Sequence, residues 1–334
     1  MQKIRVGVNG LGRIGKCVIR AFLEHHNSSI EIVALNSNKM NPKTAAHMLQ
    51  YDSVHGRLPE RIAVAEDSIS YQNKRISISA VSSIEEIDWH KYNVDVVFEC
   101  TGAFNTKEQA YNHIRNGAKS VIVSAPCTDA DATVILGVNE IPQDLKGKVI
   151  SVGSCTTNCL APVIKPLHDA FGITSAFMTT IHAYTNDQCL LDSRHSDLRR
   201  GRAAESSIIP TSTGAAKVIG EIIPELKGKV DGVAVRVPVQ NVSMIDLTFT
   251  TEKQASIDGI NQVMIDASKK IPEILGICDE QLVSIDFNHM PQSSIFDITQ
   301  TKKVSNNLYR VVAWYDNEWG FSNRMIDICK KFVI

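Results

Sequence analysis

The sequence has almost no net charge: 35 lysines and arginines stand against 36 aspartates and glutamates, a formal balance of −1. It therefore has no global field to hold nucleic acid or an anionic membrane, and anion recognition must come from local basic clusters. No apolar run reaches the length of a membrane-spanning helix. The first residues, MQKIRVGVNG, enter a strand pattern with neither an apolar leader segment nor a small-residue cleavage site. Internal repeats and low-complexity linkers are missing, as is any Cys/His cluster at metal-ligand spacing. Eight cysteines in 334 residues do not make a disulfide scaffold in a chain that is 43% hydrophobic, because a core of that size needs no staples. These absences predict a reduced, cytoplasmic, two-domain protein that binds no nucleic acid, no membrane and no metal.

What is present begins with βαβ grammar. KIRVGVNG precedes a helical pattern from Gly12 to His25, then come EIVALNS and a second helical stretch from Lys43. Three further strands, Val94 to Cys100, Ser120 to Pro126 and Lys148 to Ser154, read as buried on both faces, with a helix near Thr106 to Asn116. This predicts an α/β fold with a Rossmann-type, doubly wound parallel sheet. Beyond it, SAFMTTIHAYT and GVAVRVPVQNVSMIDLTFTT alternate in the antiparallel manner, which predicts an α+β catalytic domain with a mostly antiparallel sheet. The expected dinucleotide-binding domain is 1–154 with 318–334, its last helix, from about Gly320 to Phe332, returning to it. The catalytic domain is then 155–317. The polar, basic stretch from Thr185 to Glu205 has no period and reads as a long ordered loop of the functional kind.

Gly10, Gly12 and Gly15 form a G-x-G-x-x-G that follows a strand and opens a helix, the context a dinucleotide fingerprint requires. The helix N-terminus then offers N–H groups to a pyrophosphate. The bland alternative, a glycine-rich turn, is the weaker reading in that context. The fingerprint also expects an acidic residue at the end of the second strand for the adenosine ribose. Here the strand ends Asn36-Ser37-Asn38-Lys39. Nothing in that string repels a 2′-phosphate, which permits NADP. Alternatively Asn36 or Ser37 binds the ribose hydroxyl of NAD without a carboxylate.

Cys155 sits in SCTTNC, where a strand ends and a helix-compatible stretch begins. A cysteine there feels the positive end of the helix dipole, which favours the thiolate that attacks carbonyls. Cys159, one turn on, is better read as a small buried hydrophobe, as are most of the others. His182 ends the strand SAFMTTI and can pair with the thiolate and shuttle a proton. A lone histidine is more often a satisfied or surface residue.

The strings VGVNGLGRIGK, SCTTNCLAP, TTIHAYTNDQ, ESSIIPTSTGAAK, VAVRVP and WYDNEWGFSNR together resemble the phosphorylating glyceraldehyde-3-phosphate dehydrogenases, in order and over nearly the whole chain. The resemblance implies Cys155 as nucleophile and His182 as base. It implies that Ser154, Thr156, Thr213 and Gly214 hold inorganic phosphate, and that Thr185, Arg236 and Arg200, or its neighbour Arg199, contact substrate or phosphate. Asn317 would bind the nicotinamide carboxamide, and Arg13, Ile14, Thr101, Gly102 and Ser124 would line the cofactor with the glycines and Ser37. The implied reaction forms a thiohemiacetal on Cys155, passes a hydride to C4 of the nicotinamide and leaves a thioester, which phosphate attacks to give 1,3-bisphosphoglycerate. A homotetramer is implied too. Arginines and hydroxyls are the side chains suited to two phosphate sites.

The chain departs from the pattern twice. Asn36-Ser37 replaces the Asn-Asp of many NAD-using members, and Ser193-Arg194 stands where they carry Leu-Pro in the long loop. Both changes suit a 2′-phosphate, so NADP is expected to serve at least as readily as NAD. Such an enzyme would run more naturally in the gluconeogenic direction. The nearest rival is the erythrose-4-phosphate dehydrogenase branch, against which Thr185 speaks, since that branch tends to lose this hydroxyl. A non-catalytic cofactor-binding scaffold is the other alternative, and the intact set of nucleophile, base and phosphate residues argues against it.

Overall fold

Ile4–Asn9 is buried almost throughout its length, which is why its text is a near-continuous apolar run rather than an alternation. It lies at the centre of a nine-stranded sheet. Ile30–Asn36 pairs with it in parallel on one side and Val96–Glu99 on the other, so the strand order reverses across it. Ser120–Val123, Val149–Ser151 and Ala132–Thr133 continue the parallel sheet to one edge. Lys74–Ser79 continues it towards the other, where an antiparallel meander through Ser68–Tyr71 to Ala63–Val64 ends it. The crevice beyond the carboxyl ends of strands that diverge in this way is where open α/β sheets bind ligands.

These residues belong to the first of two compact units in a computed structural model that describes residues 3–24 and 29–331. The first unit comprises Met1–Val134, Glu140–Gly153 and Ser322–Ile334; the second comprises Ile135–Asn139 and Ser154–Phe321. The first helix runs Arg13–Glu24 and the last Trp319–Lys330. The expected ends at His25 and Phe332 lie outside the described residues. The single helix expected near Thr106 to Asn116 is two short pieces, Lys107–Ala110 and Asn112–Arg115, with Thr106 capping the first.

The second unit is built on a seven-stranded mixed sheet covered by the helix Cys155–Phe171, whose buried face packs against Met178, Leu247, Phe296 and Val311 of the strands. Four of its neighbouring pairs are antiparallel and two parallel. One reading of the sequence needs correction here. The long apolar run from Gly232 to Thr251 is two strands, Val230–Val237 and Ser243–Thr251, that do not pair with each other. Both flank Ile173–Ala183, the first parallel to it and the second antiparallel. The intervening segment turns at Val242, whose φ of 66° lies in the left-handed region that a β-branched residue rarely adopts. Thr185–Glu205 contains no α-helix or strand, only an isolated bridge between Cys189 and Ala203 and, at its end, the start of a short 3-10 turn, Ala204–Ser206.

Candidate active site

Gly153, with φ of 64°, turns the chain from strand to helix. Ser154 then caps the 17-residue helix, its Oγ accepting from the Thr157 N–H at 3.1 Å, a bond worth about 1 kcal/mol. Cys155 is thereby the first helical residue, facing roughly half a unit of positive charge from the aligned peptide dipoles. Its partner comes from the sheet. The parallel register of Ile173–Ala183 with Val230–Val237 sets His182 beside Arg236, and His182 Nε2 reaches to 3.5 Å from Cys155 Sγ.

The other ring nitrogen, Nδ1, has two neighbours, the Ala183 carbonyl at 2.6 Å and Arg236 Nη1 at 2.6 Å, while Nη1 also donates to that carbonyl at 3.0 Å. A carbonyl acceptor and a guanidinium donor at one nitrogen support either tautomer of the neutral ring. With the proton on Nδ1, the Nε2 lone pair can take the thiol proton; with Arg236 donating to Nδ1, Nε2–H points at sulfur. Both halves of an acid/base cycle are thus available without moving the ring.

Burial pushes the Cys155 thiol above its ordinary value, against the opposing pull of Arg236. Burial and then the Arg236 charge push His182 down to about 3. Burial thus opposes the charged form of both groups, while Arg236 and the helix N-terminus favour a thiolate at Cys155.

The remaining residues divide. Tyr315 joins Thr156 Oγ1 at 3.0 Å and Thr180 Oγ1 at 2.8 Å, and meets the His182 ring edge-on. The Thr156 hydroxyl is thus turned into the core, leaving its backbone at the helix N-terminus as what it can offer an anion. Asn317 is tied to the end of the His182 strand: Ala183 N–H donates to Ser243 Oγ, which donates to Asn317 Oδ1 at 2.8 Å. With its oxygen taken, Asn317 presents its amide NH₂. Arg200 is held by Asp187 and Asp197, whereas Arg199 is exposed and uses only its backbone N–H on Asp197. Arg200 is near enough to Arg236 for their charges to repel. Thr185 receives the Gln188 side chain on its N–H, and Thr213 accepts from Ala215 N–H beside Gly214, the cap of the helix Ala215–Ile222. Among the described residues no hydrogen bond joins Thr185, Thr213 or Gly214 to Cys155, His182 or Arg236. Tyr315 and Asp187 lay inside the quoted strings without their roles being legible, and Ser243 carried no signal at all.

In the first unit, Gly10, Gly12, Ser37 and Thr101 line one cavity of about 290 Å³, and no acidic side chain lines it. Its glycines fit a dinucleotide. Gly10 has φ of 98°, a Cβ on Gly15 would stand 2.0 Å from the Gly10 carbonyl oxygen, and a Cβ on Gly12 would project into open space where a phosphate can approach the backbone. Arg13, Ile14, Gly15, Gly102 and Ser124 do not line that cavity. The Arg13 guanidinium is turned onto Asp52 at 2.7 Å. The Ser124 hydroxyl meets the Cys100 thiol. Asn36 is buried, bonded to Asn9 and to both backbone polar groups of Val81, which leaves Ser37 as the ribose-side candidate of the two.

A doubly wound dinucleotide fold and a cysteine–histidine pair at a helix N-terminus together define a nucleotide-dependent oxidoreductase that works through a cysteine. Residues 4–107 match the glyceraldehyde 3-phosphate dehydrogenase NAD binding domain, and residues 154–317 match the C-terminal domain of the same family. The glyceraldehyde-3-phosphate dehydrogenase of Xanthobacter flavus is 51% identical over 328 residues, covering 98% of this chain and 97% of that one. That of Cereibacter sphaeroides is 49% identical over 325 residues, covering 97% of each, and that of Geobacillus stearothermophilus 46% identical over 327, again covering 97% of each. The chain belongs to the glyceraldehyde-3-phosphate dehydrogenase family.

Proposed function

We propose that this chain catalyses the reversible, phosphorylating oxidation of D-glyceraldehyde 3-phosphate to 1,3-bisphosphoglycerate. The observation that carries this reading is the 3.5 Å approach of Cys155 Sγ to His182 Nε2 at a helix N-terminus, with Arg236 at the far side of the imidazole. His182 takes the thiol proton as sulfur adds to the aldehyde carbon, and the helix N-terminus favours the developing negative charge. A bound NAD or NADP supplies the hydride acceptor. Asn317, through its free amide NH₂, orients the carboxamide, and inorganic phosphate then displaces Cys155 from the thioester. Ser154, the Thr156 backbone, Thr213 and Gly214 hold that phosphate, and Thr185, Arg200 and Arg236 hold the substrate. Residues 1–154 with 318–334 form the cofactor domain and 155–317 the catalytic domain.

The cofactor is NADP at least as readily as NAD. Support comes from the cavity without acidic lining at the end of Ile30–Asn36 and from Ser193 and Arg194 in the exposed loop. Leu190, Leu191, Leu198 and Ile208 in and next to that loop are each more than two-thirds exposed, which suits burial against another copy and supports a homotetramer. Among the described residues no helix is long and apolar enough to cross a membrane, in keeping with a cytoplasmic enzyme. Steady-state kinetics with both cofactors, with glyceraldehyde 3-phosphate and erythrose 4-phosphate, and with and without phosphate, test these points together. A kcat/KM strongly favouring NAD ends the NADP reading. Turnover that prefers erythrose 4-phosphate and ignores phosphate ends the main one. Light scattering gives the assembly state.

A further inference from the structure

One buried polar chain in the first unit has no part in the chemistry at Cys155. Trp89 Nε1–H donates to His113 Nδ1 at 3.0 Å, which puts the other imidazole proton on Nε2, 2.9 Å from Glu99 Oε2. Asn9 Nδ2 donates to the same oxygen at 2.7 Å, and Asn36 Nδ2 donates to Asn9 Oδ1 at 2.9 Å. Asn36 Oδ1 accepts from Val81 N–H at 3.0 Å. The second carboxylate oxygen, Oε1, accepts from the backbone N–H of Thr101 at 2.7 Å and from its hydroxyl. Glu99, His113, Asn9, Asn36 and Trp89 are all at most 2% exposed.

Every bond in this chain has a determined direction, and Glu99 is its acceptor of last resort, saturated by four donors and facing no cation within it. A buried carboxylate is tolerated on those terms, but a well-packed apolar set would give equal or greater stability. What the polar chain adds is position. Asn9, Asn36, Val81 and Thr101 come from four separate stretches, the ends of two strands and the segments that follow two others, and all four line the dinucleotide cavity. We propose that Glu99 is a positioning residue which, backed by His113 and Trp89, holds these four stretches in the shape that binds the dinucleotide. This rests on the reading of the cavity as the cofactor site.

Glu99→Gln keeps the volume but turns an NH₂ towards neighbours that are themselves donors. Titration calorimetry of the full chain with NAD and with NADP is expected to show Kd raised about tenfold or more, the effect of losing a hydrogen bond to a charged group. The KM for the dinucleotide rises in step. The kcat at saturating dinucleotide and the KM for aldehyde stay within about twofold, since the loss is confined to cofactor binding. Trp89→Phe, which removes the donor that sets the His113 tautomer together with part of a buried ring, is expected to raise Kd about threefold. A Glu99→Gln protein that melts earlier yet binds both dinucleotides as the parent does overturns the proposal, reducing the chain to fold support. If Glu99→Gln does not fold, Trp89→Phe decides by the same readout, an unchanged Kd overturning the proposal. A parent protein that binds neither dinucleotide overturns the cofactor reading instead.

Discussion

In the first unit the buried polar side chains from Trp89 to Asn36 are matched donor to acceptor. Around Cys155, which is half-buried, and His182, which is buried, desolvation works against the groups it affects. A thiol and an imidazole are held away from their charged forms, and the Nε of Arg236 is buried without a hydrogen-bond partner among the described residues. Satisfied buried networks fix a shape. Groups whose ionisation is displaced in opposite directions are poised to exchange a proton when a substrate changes their surroundings. The two regions thus differ in kind, one matched donor to acceptor, the other displaced from its ordinary ionisation and partly unsatisfied.

The contrast breaks most sharply at the nucleophile. Cys155→Ser is expected to lower kcat for aldehyde oxidation by roughly 10,000-fold or more, while dinucleotide affinity by calorimetry stays at the parent value. A loss of affinity as large as the loss of rate would mean that the two regions are not separable. His182→Asn should cost about 100- to 10,000-fold in kcat and should also change the acid stability of the protein. The unfolded imidazole titrates near 6.5 and the native one near 3, so between those values the unfolded chain binds a proton that the native site refuses. Stability from this group is whole above pH 6.5 and is lost as pH falls towards 3. The variant should therefore show a shallower fall of Tm with acidification than the parent, and equal slopes would refute the assignment.

On the binding side, Gly15→Ala forces a Cβ against the Gly10 carbonyl oxygen. Such overpacking costs about 1–3 kcal/mol, and dinucleotide Kd should rise about tenfold with the alkylation rate of Cys155 unchanged. The smallest expected effect is at Tyr315→Phe, which deletes the hydroxyl shared by Thr156 and Thr180. Denaturant unfolding should show a loss of about 1–2 kcal/mol with kcat reduced only a few-fold. A loss as large as that at His182 would move Tyr315 from support to chemistry.

Much of this was legible in the sequence because its signals are local. The glycine spacing, the strand before it and the helix after it identify the nucleotide fold, and the strand-to-helix junction at Ser154 places Cys155 at a helix start. The single antiparallel run read from Gly232 to Thr251 failed because alternation records which face is buried and not which neighbour a strand pairs with. The bond between Thr156 Oγ1 and Tyr315, 159 positions away, could not be read from either string. The electrostatics at Cys155 are only half legible for a related reason: a helix dipole can be read from the chain, but the burial that opposes it cannot.

By itself, then, the sequence determined the family and the fold class and singled out Cys155 and His182, all carried by short strings and periodicity. Only the tertiary structure decided that His182 meets Cys155 and Arg236 at once, because that meeting depends on sheet register and helix placement between segments far apart in the chain. It alone decided that burial opposes the helix dipole at Cys155 and that Glu99, unremarked in the sequence, accepts from Asn9, His113 and Thr101 in the core of the first unit. Both follow from burial, which removes water as a partner and makes each polar group depend on whatever the fold has placed within reach.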